Sequence, residues 1–230
     1  MARSYAFAST ILGLAAIAAF PALLDAQQIS SPYRFIDENL AAGVFAGYFF
    51  GDPGSAEVGP RDGRIVGLRL TIRATGPLNI EAQTGVISTD RIVWAVDSET
   101  DEIVKAGEAD LSMLHVGGSL RFDVTGPRTF YNLMPFVAAG GGVVLRLTEN
   151  DTFDQLLPFE EQFDLGTTFA AHVGTGVEWF PFGRVTLRAD GQVLLYRMNT
   201  PVAFLDIDPT LPTREWAQNY IVSASVSYRF

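Results

Sequence analysis

The sequence predicts an all-β fold: an eight-stranded antiparallel up-and-down transmembrane β-barrel. Three observations carry that prediction. Apolar residues recur with a period of two in eight separate segments, the connections between those segments alternate between short and long, and each segment has one apolar face and one mostly small or polar face.

Taken in order, the first element is not part of the barrel. Arg3 precedes an apolar run from Ile11 to Leu24 that ends before Gln27, so residues 1–26 read as a secretory signal peptide. The run is shorter than the roughly 20 residues of a spanning helix. Residues 27–230 are then the barrel domain. Its first strand alternates through Leu40, Ala42, Val44, Ala46 and Tyr48, and the second through Val66, Leu68, Leu70 and Ile72. The third runs from Leu78 to Val86, the fourth from Leu114 to Phe122 and the fifth from Val137 to Leu145. Phe169 to Trp179, Val185 to Leu195 and Tyr220 to Phe230 complete the set.

Turn chemistry separates the pairs at one end. Ala74-Thr75-Gly76-Pro77, Thr125-Gly126-Pro127 and Pro181-Phe182-Gly183-Arg184 place Gly and Pro where the chain reverses. The other four connections, about 50–63, 97–110, 149–164 and 199–216, read as long polar loops.

Composition selects the lipid-facing arrangement over a soluble lipocalin-like carrier, which would bury its apolar face. Of 16 bases only Lys105 is Lys, and the polar face of the strands is rich in Gly, Ser, Thr and Ala, suited to a narrow interior. Aromatic residues of the apolar face lie towards strand ends: Phe122, Trp179, Tyr228 and Phe230 at one, Tyr48, Trp94 and Tyr220 at the other. A net charge of −10 excludes a nucleic-acid binder, and the absence of Cys excludes disulfides, thiol catalysis and thiolate metal sites.

Matched heights on the inward parity bring candidate site residues together. Arg69, Glu81, Arg121, Glu178 and Arg188, with Asp123, Asp190 and Arg229 close by, are expected to form a lumenal ion-pair network, because unpaired charges in so narrow an interior are costly. His115 and His172 fall on the same parity at similar height beside Gly140-Gly141-Gly142. Two His without a third ligand make an incomplete metal site, so hydrogen bonding in the lumen is the expectation, with a pH-responsive interior as a hypothesis. No cofactor or metal is expected. No Gly-x-Ser-x-Gly elbow occurs and neither His lies in a long loop, so catalysis is not expected.

The long connections hold the acidity, with runs at Asp97–Glu102, Glu149–Asp154 and Asp206–Asp208, and are candidate sites for an extracellular ligand or protein. Apolar residues among them, Leu156, Leu157, Phe159, Val202, Phe204, Leu205 and Leu211, either pack the loops together or offer a surface to a partner.

A signal peptide, eight alternating strands, short turns opposite long loops and a final Tyr228-Arg229-Phe230 resemble the small outer-membrane β-barrels that include the OmpA transmembrane domain and OmpX. The resemblance implies residence in outer-membrane lipid, recognition of Tyr228 and Phe230 by that family's barrel assembly machinery, and a charged plug in the lumen. Because the sequence ends with the last strand, a peptidoglycan-binding domain of the OmpA kind is not expected, and peptidoglycan anchoring is not implied. The functional expectation is a monomer with a structural or surface-interaction role and a narrow or plugged lumen. A small channel or ligand conduit is the alternative.

Overall fold

The computed structural model describes residues 31–97, 99–100, 102–148, 157–163 and 165–230. The expected signal peptide and the acidic run Glu149–Asp154 lie outside them, as does Leu156.

Eight long strands close into a ring. They are β2 (Leu40–Phe50), β3 (Gly63–Thr75), β4 (Leu78–Asp97), β5 (Glu102–Asp123), β7 (Leu133–Arg146), β8 (Thr167–Phe182), β9 (Val185–Asn199) and β10 (Arg214–Arg229). Each pairs antiparallel with its neighbours along the chain, and β10 pairs with β2 to close the barrel. A row of paired residues that leaves β10 at Tyr228 passes Ala42, Leu70, Ala82, Gly118, Gly141, Ala171 and Leu195. It returns to β10 at Gln218, ten residues from its start. That stagger tilts the strands and sets a lumen narrow enough for side chains to fill.

The period-two pattern resolves as a lipid-facing barrel. Val44, Leu68, Ile80, Leu120, Val173 and Val222 are exposed on the outside, while Arg69, Glu81, Arg121, Glu178 and Arg188 are buried within. A soluble barrel has the reverse arrangement. Closure also satisfies the backbone groups of each ring strand along the ladders, the condition for crossing a bilayer with strands.

Three features differ from the sequence reading. Residues 97–110, expected as a long loop, are largely ladder: β4 and β5 stay paired as far as Asp97 and Glu102, so this connection is a tall hairpin. A bulge between Val93 and Trp94 shifts the register there. Past the bulge Trp94 leaves the aromatic girdle, packs against the interior core and donates its indole N–H to the Glu57 carbonyl at 3.1 Å. Finally, the interior is not polar throughout. Its long-loop half is an apolar core of Phe45, Phe49, Ile65, Ile87, Leu111, Met113, Val144, Leu194, Tyr196 and Ile221.

The loops cap this core. Val58, Phe163, Leu165 and Phe204 enter it from above, the last from a short helix, α1 (Val202–Ile207). The loop after β2 is pinned to β10. Gly54 and Gln218 donate backbone N–H groups to the Asp52 carboxylate at 3.1 and 2.8 Å, and Ser55 donates both its N–H and its hydroxyl to Glu215 at 2.7 Å each. Phe204 and Leu211 pack inward, but Phe159 and Val202 are exposed.

Two short strands stand outside the ring. β1 (Tyr33–Phe35) pairs with β6 (Arg128–Phe130), which lies in the connection from β5 to β7. β2 lies almost opposite that connection in the ring, so the segment Ile36–Asn39 crosses the short-turn mouth. Ile36 is buried there with Met134 and Phe180, and its N–H donates to the Pro127 carbonyl at 3.1 Å. Its carbonyl accepts from the Arg73 guanidinium.

Candidate functional site, a sealed lumen

In the short-turn half, the inward residues of six strands meet as a charged layer. Arg69 lies 3.3 Å from Glu81 and 3.0 Å from Asp190, and Arg188 reaches Glu81 at 2.5 Å and Asp190 at 2.9 Å. Glu178 accepts from Arg121 at 2.5 Å and from Arg229 at 2.7 Å, while Arg121 also holds Asp123 at 2.8 Å. Four guanidiniums thus face four carboxylates, and the layer is neutral. Pairing at this density offsets the desolvation that would otherwise make buried charge prohibitive.

Neutral groups complete the arrangement, and these were not singled out from the sequence. The Asn79 amide donates to Asp123 at 2.8 Å, Gln83 donates to Gln192 at 3.3 Å, and Arg229 donates to the Thr186 hydroxyl at 3.1 Å. Phe136 stands at the centre, with the Arg121 and Arg188 guanidiniums each 4.1 Å from its ring centroid. Its signal was an aromatic residue on the inward parity, level with charged neighbours. Phe136→Leu keeps apolar volume but removes the π face from both cations, each contact contributing about 1–2 kcal/mol where water is excluded. The expected result is a loss of about 2–3 kcal/mol in chemical unfolding from detergent. A change below about 0.5 kcal/mol, the level of an inert substitution, would contradict the role given to the ring.

His115 and His172 sit where the charged layer meets the apolar core. Their rings approach edge to face with centroids 5.6 Å apart, and both are buried. Small residues make this possible: a Cβ on Gly117 would lie 3.0 Å from the His115 ring and 3.2 Å from that of His172. Among the described residues, no group of three or more His, Asp or Glu is placed to hold a metal ion.

Above the barrel, Arg61 bridges two acidic residues of the β4–β5 hairpin, lying 3.7 Å from Glu108 as well as close to Asp90. Asp90 pairs with Arg61 at 3.1 Å, and Glu108 pairs with Lys105 at 2.7 Å, which holds its carboxyl below the usual carboxylate range. Thr210 donates its hydroxyl and its backbone N–H to Asp208, with the same effect. A cleft of about 570 Å³ lies between the turn at Phe159–Glu161 and the start of α1.

Tyr228 and Phe230 lie on the outer face at the end of β10, their rings 5.1 Å apart and edge to face. They join Phe122, Trp179 and Phe182 as exposed aromatics at the short-turn end, while Tyr48, Phe50, Trp216 and Tyr220 do the same at the other.

An apolar outer band between two aromatic girdles, with a charged layer buried in the lumen, defines the class: an eight-stranded transmembrane β-barrel of the outer-membrane type. Comparison with one solved structure, Neisserial surface protein A, agrees on the fold. It superposes with a TM-score of 0.52 at 15% identity, over 87% of this chain and 98% of that one. The N-terminal β-barrel domain of Pseudomonas aeruginosa OprF gives 0.43 at 11% identity, over 83% of this chain and 98% of that one. No family model matches the sequence, and no curated protein does.

Proposed function

We propose that this protein resides in the bacterial outer membrane as a closed, non-catalytic scaffold that acts through its loops at the cell surface. The single observation that supports this reading most strongly is the double seal of the lumen. The neutral ion-pair layer fills one half, and the loop-capped apolar core fills the other. A conducting pathway would have to break buried ion pairs in the first and open a dry core in the second, and each is costly. With the short turns towards the periplasm, the acidic loops face outward, where they and the cleft beside Phe159 and Val202 are available to an extracellular ligand or protein. Tyr228 and Phe230 serve recognition by the barrel assembly machinery during insertion.

Planar-bilayer recordings of the refolded protein test the seal. The expected trace is a baseline without sustained openings. Stable, voltage-independent conductance steps would overturn the scaffold reading in favour of a channel.

A further inference from the structure

The side sheet formed by β1 and β6 is not needed to close the ring, yet it displays an unusual surface. Tyr33, Phe35, Phe130 and Tyr131 are exposed on it, with Tyr33 and Phe130 rings 5.4 Å apart and those of Phe130 and Tyr131 4.7 Å apart. The Arg128 guanidinium stacks over Phe35 at 4.5 Å and has no carboxylate partner among the described residues. Arg128 is exposed, so its N–H donors are within reach of solvent or lipid.

Backbone conformation adds an independent observation. Phe130 pairs with Leu133 across a two-residue turn in which Tyr131 and Asn132 have φ of 49° and 61°. Such turns favour Asn-Gly, because the left-handed region disfavours a bulky side chain. Here a tyrosine occupies the first left-handed position and, apart from its edge contact with Phe130, is 69% exposed, so most of its ring is left to the surroundings. The patch is also continuous with the lipid-facing band through Leu133 and Trp179, which are Cα partners across β7 and β8.

We propose that this side sheet docks on phospholipid headgroups of the periplasmic leaflet, with Arg128 pairing a phosphate and Tyr131 and its neighbouring aromatics seated at headgroup depth. The proposal rests on the outer-membrane reading above. Anionic phospholipid is the occupant the charge favours, since a guanidinium recognises phosphate oxygens through paired N–H donors and aromatic rings favour the interface between acyl chains and water. Docking would also hold the segment Ile36–Asn39 across the mouth, because β1 is the anchor of that segment.

Hydrogen exchange of the full chain, folded into phosphatidylcholine vesicles with and without phosphatidylglycerol, tests it. Amides of residues 33–35 and 128–130 are expected to exchange about fivefold more slowly in the anionic vesicles, the effect of one cation at a charged surface. Those of β3 and β8 are expected to be equally protected in both. Arg128→Gln removes the lipid-dependent difference, Tyr131→Gly reduces it although glycine relieves the strained turn, and Arg34→Gln leaves it largely in place. Equal protection in the two lipids overturns the proposal, as does an equal loss in both Arg variants. Inorganic phosphate reproducing the effect in phosphatidylcholine would assign a free-phosphate site instead and likewise overturn it. Unprotected β3 and β8 amides would mean that the barrel had not inserted, which would overturn the membrane reading itself.

Discussion

Glu81→Gln is expected to destabilise the folded barrel by about 3–5 kcal/mol, the cost of breaking a buried ion pair from one side. Glu81 is the busiest acceptor in the layer. It meets Arg188 at 2.5 Å, Arg69 at 3.3 Å and Arg121 at 3.9 Å, and accepts from the Thr71 hydroxyl at 3.4 Å. The amide has almost the same shape, so packing survives and the effect isolates charge. Three carboxylates would then face four guanidiniums in a space without bulk water. The double variant Glu81→Gln/Arg188→Gln restores neutrality and is expected to lose less than the sum of the two single losses. Urea titrations of protein in lipid vesicles, followed by gel mobility, measure both quantities. A single-variant loss below about 1 kcal/mol, the range of an exposed pair, would show that water screens the layer.

Phe49→Ala is expected to cost about 3–5 kcal/mol by a different route, the loss of transfer energy plus a cavity that rigid walls cannot collapse. Phe49 is fully buried in the apolar half, among residues from strands around the ring and beneath the loop cap. The ladders fix the positions of the surrounding backbones, so little relaxation is available. An apolar cavity of this kind stays dry, and the ion-pair layer below is untouched, so the variant should remain non-conducting while unfolding at lower urea. A loss near 1 kcal/mol would mean that the loops sink to fill the space.

Much of this architecture was legible in the sequence because a strand's side-chain period is two, and eight segments repeat it with the same contrast between faces. Arg69, Glu81, Arg121, Glu178 and Arg188 stood out because a charge on a membrane strand has few places to go. The tall hairpin was obscured for a physical reason. Beyond the lipid, the outward side of residues 102–110 no longer needs to be apolar, so alternation loses contrast, and the bulge at Val93–Trp94 shifts what remains. The apolar half of the lumen left a trace that parity alone does not interpret. Phe49-Phe50, Val143-Val144-Leu145 and Val193-Leu194-Leu195 are apolar on both parities, marking the height at which the interior changes from polar to dry. β1 and β6 span three residues each, too short for any period to show.

The segment that crosses the short-turn mouth has a consequence for the order of events in assembly. Tyr33 finds its partner at Phe130, nearly a hundred residues later. That pairing requires the reversal between β5 and β7 to exist already, so its contact is entropically remote from the start of the chain. The earliest part of the barrel domain in sequence therefore settles only after the chain as far as β6 has folded back on itself. Joining β10 to β2 closes a longer stretch of chain still, so the floor over the short-turn mouth can be laid, with Ile36 against Met134 and Phe180, before the wall around it shuts.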